Sequence, residues 1–209
     1  MCCGRRSPPG REIAAVTEEI AGLLLAAGRS RRFGGDKLLA PLRGRRVIRW
    51  SAEALARVVS PIYVVTAPGA QELVRALGGL DVVLVEHIGR DGGLGTSLAA
   101  GIAALSDDVP SVVIALADQP LVDSGVVAQL CEAWRARDGA PLAVAPLYRD
   151  GRGHPVLFSR ACFVELACLR GDTGARALLD AMGEDLLLVP VDADAPADVD
   201  TPAALDALR

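Results

Sequence analysis

Aromatic side chains are almost missing from this chain: two Trp, two Tyr and three Phe in 209 residues. Any core must therefore be built from Leu, Val, Ile and Ala, and with 51% apolar residues there is enough for a substantial one. Histidine is scarcer still. His87 and His154 stand alone and far apart, which gives neither a zinc-ligand pattern nor a Ser-His-Asp or Cys-His arrangement. No apolar run approaches the ~20 residues of a membrane span. Residues 1–17 are rich in Arg, Gly and Pro but lack the apolar stretch of a secretory signal. They are expected to be a disordered extension or the product of a start site assigned too early. A net charge of −4 excludes a general nucleic-acid binder. The five cysteines, Cys2, Cys3, Cys131, Cys162 and Cys168, are odd in number. Cys2 and Cys3 have no apolar run before them that would mark a lipid anchor. The other three lie in apolar, helical stretches and are expected to be buried free thiols in a reducing cytoplasm.

What is present is alternation. Apolar, non-alternating runs at 20–26, 62–66, 82–85, 112–117 and 142–147 read as strands, several of them buried on both faces. Between them, apolar residues recur at helical spacing from Val47 to Val59, at 70–77, along 94–105 and across 123–137. Strand-helix alternation predicts an α/β fold with a mostly parallel sheet and helices on both faces, in one domain over 18–209. Ligands in such sheets gather at the carboxyl ends of the strands. Beyond residue 148 a polar turn leads to a strand at 155–158, a helix holding Phe163 and Leu166, a helix opened by 171–176, a strand at 186–191 and a last helix at 202–208.

Three loops fall at strand ends. The first is 28–37, with four basic residues and Gly34-Gly35 after Gly28. A buried strand that feeds a cationic, glycine-containing loop is a place to hold phosphates, and Arg31, Arg32 and Lys37 can supply charge to a polyphosphate. It is not a P-loop, because Lys37 is followed by Leu38. Nor is it a dinucleotide fingerprint, because Gly28 is followed by Arg29-Ser30. The second loop contains Gly92, Gly93 and Gly95, which allow close backbone approach, and Ser97, either a cap or a hydroxyl facing a ligand. The third carries Asp118, at the end of a buried strand and before Pro120, where a carboxylate can hold Mg²⁺. The alternative of helix capping falls more naturally to Asp123 or Ser124. Asp198 and Asp200 lie in an acidic turn and offer a second oxygen ligand or a cap for the last helix. Asp172 and Arg176 are four apart and fit either an ion pair or ligand contact.

Residues 25–37 match L-A-A-G-x-S-x-R-x-G-x-x-K at every fixed position. With GLGTSLAAGI (93–102), LADQP (116–120), GHPVLF (153–158), GDTGAR (171–176) and DVDTPAAL (198–205), the chain resembles the molybdenum-cofactor nucleotidyltransferases, most closely their cytidylyltransferase branch. The acidic residue usual after DTPA is replaced by Ala204. The resemblance implies a three-layer Rossmann-like fold of the nucleotide-diphospho-sugar transferase type. It further implies that Leu25, Ala26, Ala27 and Gly28, with Gly92 and Ser97, hold the nucleotide. Arg32, Lys37 and Asp118 would be catalytic, Asp118 and Asp200 would bind Mg²⁺, and His154, Asp172 and Arg176 would face the acceptor. The implied reaction joins CMP from CTP to molybdopterin, giving the cytosine dinucleotide and pyrophosphate in the cytoplasm, with molybdenum hydroxylases as recipients. Competing readings are the guanylyl branch using GTP, an oxidoreductase acting on pigment-like substrates, and a non-catalytic cofactor carrier or chaperone.

Overall fold

The computed structural model describes residues 20–28, 30, 32–88, 93–136 and 141–209. The 1–17 tail, Cys2, Cys3, Arg31 and Gly92 lie outside them. In chain order the elements begin with β1 (Ile20–Leu25), a 3₁₀ turn (Lys37–Leu39) and the short strands β2 (Pro41–Leu42) and β3 (Arg45–Arg46). Then come α1 (Val47–Ala56), β4 (Ile62–Thr66), α2 (Gln71–Ala76), β5 (Val82–Glu86), α3 (Leu94–Ala103), β6 (Ser111–Leu116) and α4 (Ser124–Arg135). The last third holds β7 (Ala143–Tyr148), β8 (Gly151–Arg152), β9 (Val156–Ser159), α5 (Phe163–Ala167), α6 (Arg176–Ala181), β10 (Leu186–Pro190) and α7 (Pro202–Ala207).

The main sheet has the order β10-β7-β9-β6-β1-β4-β5, with β8 attached to β7. It is parallel except where β9 runs against β6 and β7, and β8 against β7. The expected mostly parallel sheet is therefore present. The antiparallel β9 wedged between β6 and β7 is the departure from plain alternation.

The long apolar runs are explained by two cores, one on each face. Because successive strand side chains point to opposite faces, Ile20 and Leu24 join one cluster with Ile62, Val64, Val113 and Val144. Ala21, Leu23 and Leu25 join the other with Tyr63, Val65, Ile114 and Phe158. On the first face, α1, α2, α4 and α7 contribute Ile48, Leu73, Leu130 and Leu205. On the second, α3, α5 and α6 contribute Leu98, Leu166 and Leu179. Truncation of a fully buried leucine such as Leu24 or Leu130 costs about 2–5 kcal/mol in cores of this kind.

Helix ends follow local chemistry. Asp123 caps α4 by accepting from the Gly125 amide at 2.8 Å, which leaves Asp118 free of that duty. Thr201 caps α7, accepting from the Ala204 amide at 3.1 Å, so Asp200 is not the cap. Two expectations are corrected. The helix anticipated from residue 171 begins at Arg176, since Gly171 has φ +62 and residues 171–175 form a turn. Cys131 and Cys162 are buried free thiols, with burial pushing Cys131 up to about 11, but Cys168 is exposed.

Candidate active site

β1 is flanked by β4 on one side and β6 on the other, with α1 and α3 on opposite faces. Strand order reverses there: the connection after β1 leads toward β4 and the one after β6 toward β7, and these opposite directions leave a crevice above the paired strand ends. The pairing Leu25↔Leu116 sets the loop after β1 beside Asp118, and the Ala117 amide donates to Leu25 O at 3.1 Å. A cleft of about 700 Å³ opens at this point, lined by Leu25–Gly28, Arg32, Lys37, Ser97, Asp118, Asp172 and Asp200, among others. Every nucleotide-site residue expected from the sequence that lies among the described residues is thus on its wall.

At the centre of the cleft stands Lys37. Its residue is 7% exposed, yet its ammonium donates to Asp118 Oδ2 at 2.6 Å and to Asp200 Oδ1 at 2.9 Å. Burial alone would lower its pKa. The hydrogen bonds and charges of Asp118 and Asp200 outweigh that and hold it above the ordinary lysine value. Asp200 is held below the usual carboxylate range, first by the hydrogen bond and charge of Lys37, against burial. Arg32 comes within 3.5 Å of Asp200 Oδ2 but is 81% exposed, so its guanidinium is available to an incoming anion. Asp198 takes a different partner, accepting from Gln119 Nε2 at 2.9 Å. Burial raises its pKa, opposed by the Gln119 hydrogen bond and reinforced by the charges of Asp118 and Asp200.

The Asp118–Lys37–Asp200 arrangement bears on a metal. Two carboxylates gathered around one cationic group form a place for a cation, and an all-oxygen donor set suits a hard ion such as Mg²⁺. Among the described residues no trio of His, Cys, Asp and Glu converges into a protein-only metal cage. A carboxylate pair that leaves remaining positions to phosphates and water is the usual pattern for Mg²⁺.

The glycines of the second loop serve a purpose that the sequence did not reveal. A Cβ on Gly93 would lie 1.9 Å from Asp172 Oδ1 and 2.6 Å from Asp172 Cα, and one on Gly95 would lie 2.4 Å from Thr173 O. The Gly95 amide donates to Gly171 O at 2.9 Å. These glycines admit the chain's own 171–173 turn against the start of α3. Ser97 is in the first turn of α3, buried and on the cleft wall, while the cap position is Gly93.

A second cavity, about 670 Å³, shares Leu25 and Leu94 with the first. His154 and Arg176 line it, whereas Asp172 lines the first cleft. Its floor includes Leu98, Ile114 and Phe158, and Arg152 pairs with Asp180 at 2.5 Å on its wall. Burial lowers the His154 pKa, partly countered by the charge of Asp118. The sequence reading passed over Arg152, Gln119 and Ser51. Ser51 left a signal, as the one polar residue in the buried stripe Val47, Ile48, Ala52, Leu55 of α1.

The switch-point crevice, with its basic loop and facing carboxylates, defines a nucleotide-handling α/β protein. The chain belongs to the MobA-like NTP transferase domain family, which it matches over residues 22–186, and is a nucleotidyltransferase of that family. It is 31% identical over 205 residues to purine catabolism protein PucB of Bacillus subtilis, covering 91% of this chain and 96% of that protein. It is 31% identical over 194 residues to a molybdenum cofactor guanylyltransferase of Yersinia pestis, covering 90% and 93%. A nicotine blue oxidoreductase of Paenarthrobacter nicotinovorans is 30% identical over 166 residues, covering 77% and 81%. Among solved structures, Rv0371c of Mycobacterium tuberculosis H37Rv, in complex with manganese, superposes with a TM-score of 0.75 at 30% identity over 91% of this chain and 97% of that one.

Proposed function

We propose that this chain transfers a nucleotidyl group from a nucleoside triphosphate, CTP in the primary reading, to the terminal phosphate of molybdopterin. The observation that carries the reading is the Lys37 ammonium bracketed by Asp118 and Asp200 at the centre of a basic, glycine-bounded crevice. The 25–28 backbone and Ser97 hold base and ribose. Lys37 and Arg32 hold the triphosphate, with Lys37 acting as a point charge and Arg32 as a fork from the exposed rim. Asp118 and Asp200 would hold Mg²⁺, which when bound neutralises phosphate charge. That the structural neighbour Rv0371c is found in complex with manganese supports the use of a divalent ion.

The acceptor enters the second cavity. Its apolar floor suits a flat heterocycle, and Arg152, His154 and Arg176 offer donors to its polar edge. The nucleophile is a phosphate oxygen already carrying negative charge, so no general base is required. It attacks the α-phosphorus in line, a new P–O bond forms, the α–β bridging bond breaks, and pyrophosphate leaves. Catalysis is then mainly alignment and charge stabilisation by fixed groups. The product would pass to molybdenum hydroxylases.

A second reading exchanges the base. The guanylyltransferase relatives favour GTP. The cytidylyl reading rests on the motif set quoted above and on the small residues Gly28, Gly93 and Ser97 in the cleft wall. Pyrophosphate release, with Mg²⁺ and molybdenum-loaded molybdopterin and with CTP, GTP and ATP offered separately, tests both. Release with CTP alone is expected. Release with GTP alone would move the chain to the guanylyl reading, and nucleotide binding without release would overturn molybdopterin as acceptor.

A further inference from the structure

The carboxylates Asp118 and Asp200 come from segments 82 residues apart in sequence, and neither sits within a regular element. Their proximity has to be imposed by something else. Asp118 follows the end of β6, where ladder hydrogen bonding stops, yet the three carbonyls around it are all engaged. The single Ser51 hydroxyl proton is shared between Ala117 O at 3.2 Å and Gln119 O at 3.0 Å, and Gln119 O also accepts from the Val122 amide at 3.2 Å. Asp118 O accepts from the Val199 amide at 2.8 Å. Ser51 itself is 0% exposed and belongs to α1, the helix beneath this face of the sheet.

The partner segment is fastened just as closely. Gln119 Nε2 donates to Asp198 Oδ1 at 2.9 Å, and Val199, 0% exposed, is pinned in the apolar cluster that also holds Ala117 and Leu205. One feature marks this as more than packing. Gln119 is 8% exposed, and its Oε1 is buried with no hydrogen-bond partner among the described residues. A buried amide left half satisfied is unfavourable for stability, so its orientation toward Asp198 has to be held by the contact that it does make. The compensating benefit is the hold on Asp198, two residues from Asp200.

We propose that Ser51 and Gln119 are positioning residues that set the separation of the Asp118 and Asp200 carboxylates, and through it the affinity of the site for a divalent cation. Ser51 holds the peptide plane before Asp118 through Ala117 O and the one after Gln119 through Gln119 O, and with the Val199 amide on Asp118 O it directs the Asp118 Cα–Cβ bond. Gln119 fixes the 198–200 segment and so directs Asp200. This rests on the reading of Asp118 and Asp200 as the cation ligands. Groups that orient metal ligands from behind commonly contribute 10–100-fold in metal affinity.

The test is titration of the full chain with Mn²⁺, read by loss of the free-ion EPR signal, for the wild type, Ser51→Ala, Gln119→Leu and Leu130→Ala. Both brace variants should weaken Mn²⁺ binding by about 10-fold or more. Leu130→Ala, which removes a core side chain on α4, should lower the melting temperature and leave Mn²⁺ affinity unchanged. In an Asp200→Asn background the effect of Ser51→Ala should disappear, because the brace then has no pair to set. Affinity unchanged within twofold in both brace variants, or an equal loss in the Asp200→Asn background, would overturn the proposal while leaving the ligand reading intact. If the wild type takes up no Mn²⁺, the ligand reading itself falls and the brace falls with it. Gln119→Leu leaves α1 untouched, so it decides the matter if Ser51→Ala does not fold.

Discussion

Replacing Lys37 with methionine removes an ammonium that bridges two acidic side chains, Asp118 and Asp200. The Lys37 side chain is 9% exposed, while Asp118 and Asp200 are 24% and 49% exposed. Breaking a fully buried pair by deleting one partner costs about 3–5 kcal/mol, because a charge is left stranded. Here water reaches both carboxylates, so a discounted figure of about 2 kcal/mol applies. For a chain of this size that is a fall in Tm of about 4–8 °C. The assay is thermal unfolding in EDTA and again in saturating Mn²⁺. A divalent ion at about 100 times its Kd adds about 2.7 kcal/mol to whichever form binds it. Methionine cannot compete for the carboxylates, so the variant should bind more tightly than the wild type, by about the free energy lost in EDTA, and that deficit should close. A deficit of equal size with and without Mn²⁺ would refute the reasoning, since Lys37 would then be a structural lysine unconnected with a cation site. The absence of any deficit in EDTA would refute the burial argument.

The same triad sets a pH window. Asp200 is lowered from 3.8, so its contribution is full above 3.8 and is lost as pH falls through the lowered folded value. Lys37 is raised from 10.5, so its contribution is full below 10.5 and is lost as pH rises through the raised value. The difference in unfolding free energy between wild type and Lys37→Met, measured by urea titration, should be flat from about pH 5 to 9 and shrink at both ends. Asp118→Asn should reduce turnover by about 10²–10³-fold, as loss of a preorganised electrostatic group does, with the far-UV spectrum unchanged. Gly93→Ala puts a methyl against the Asp172 backbone, so it should cost about 1–3 kcal/mol by urea titration and weaken nucleotide binding through displacement of the 171–173 turn.

Most of the sheet was legible because strands buried on both faces leave continuous apolar runs, as in IAGLLL, IYVVT and SVVIAL. Direction was not. Nothing local in VLFS says that β9 runs against its neighbours, because pairing is settled by partners distant in the chain. GDTGAR was misread as a helix start for a similar reason. Its turn is held by Gly93 and Gly95, some 78 residues away, a contact that leaves no trace in local propensity. In the cleft, residue types at the ends of β1 and β6 named the wall correctly. What they could not say is that Lys37 lies between carboxylates, which depends on segments 81 and 163 residues removed. The glycines of the second loop were read as room for a ligand, and two of them are room for the chain itself. Ser51 was legible in principle, as a hydroxyl interrupting an apolar helical stripe, since a buried hydroxyl needs a partner.

The most direct test of the account is transfer of label. CTP radiolabelled at the α-phosphorus is incubated with the wild-type chain, Mg²⁺ and molybdenum-loaded molybdopterin, beside the Asp118→Asn variant. The account predicts label in the pterin product with the wild type, pyrophosphate in equal amount, and at most a trace with the variant. Label that stays in CTP or appears only as free CMP, or that passes to the pterin equally well with Asp118→Asn, would contradict it.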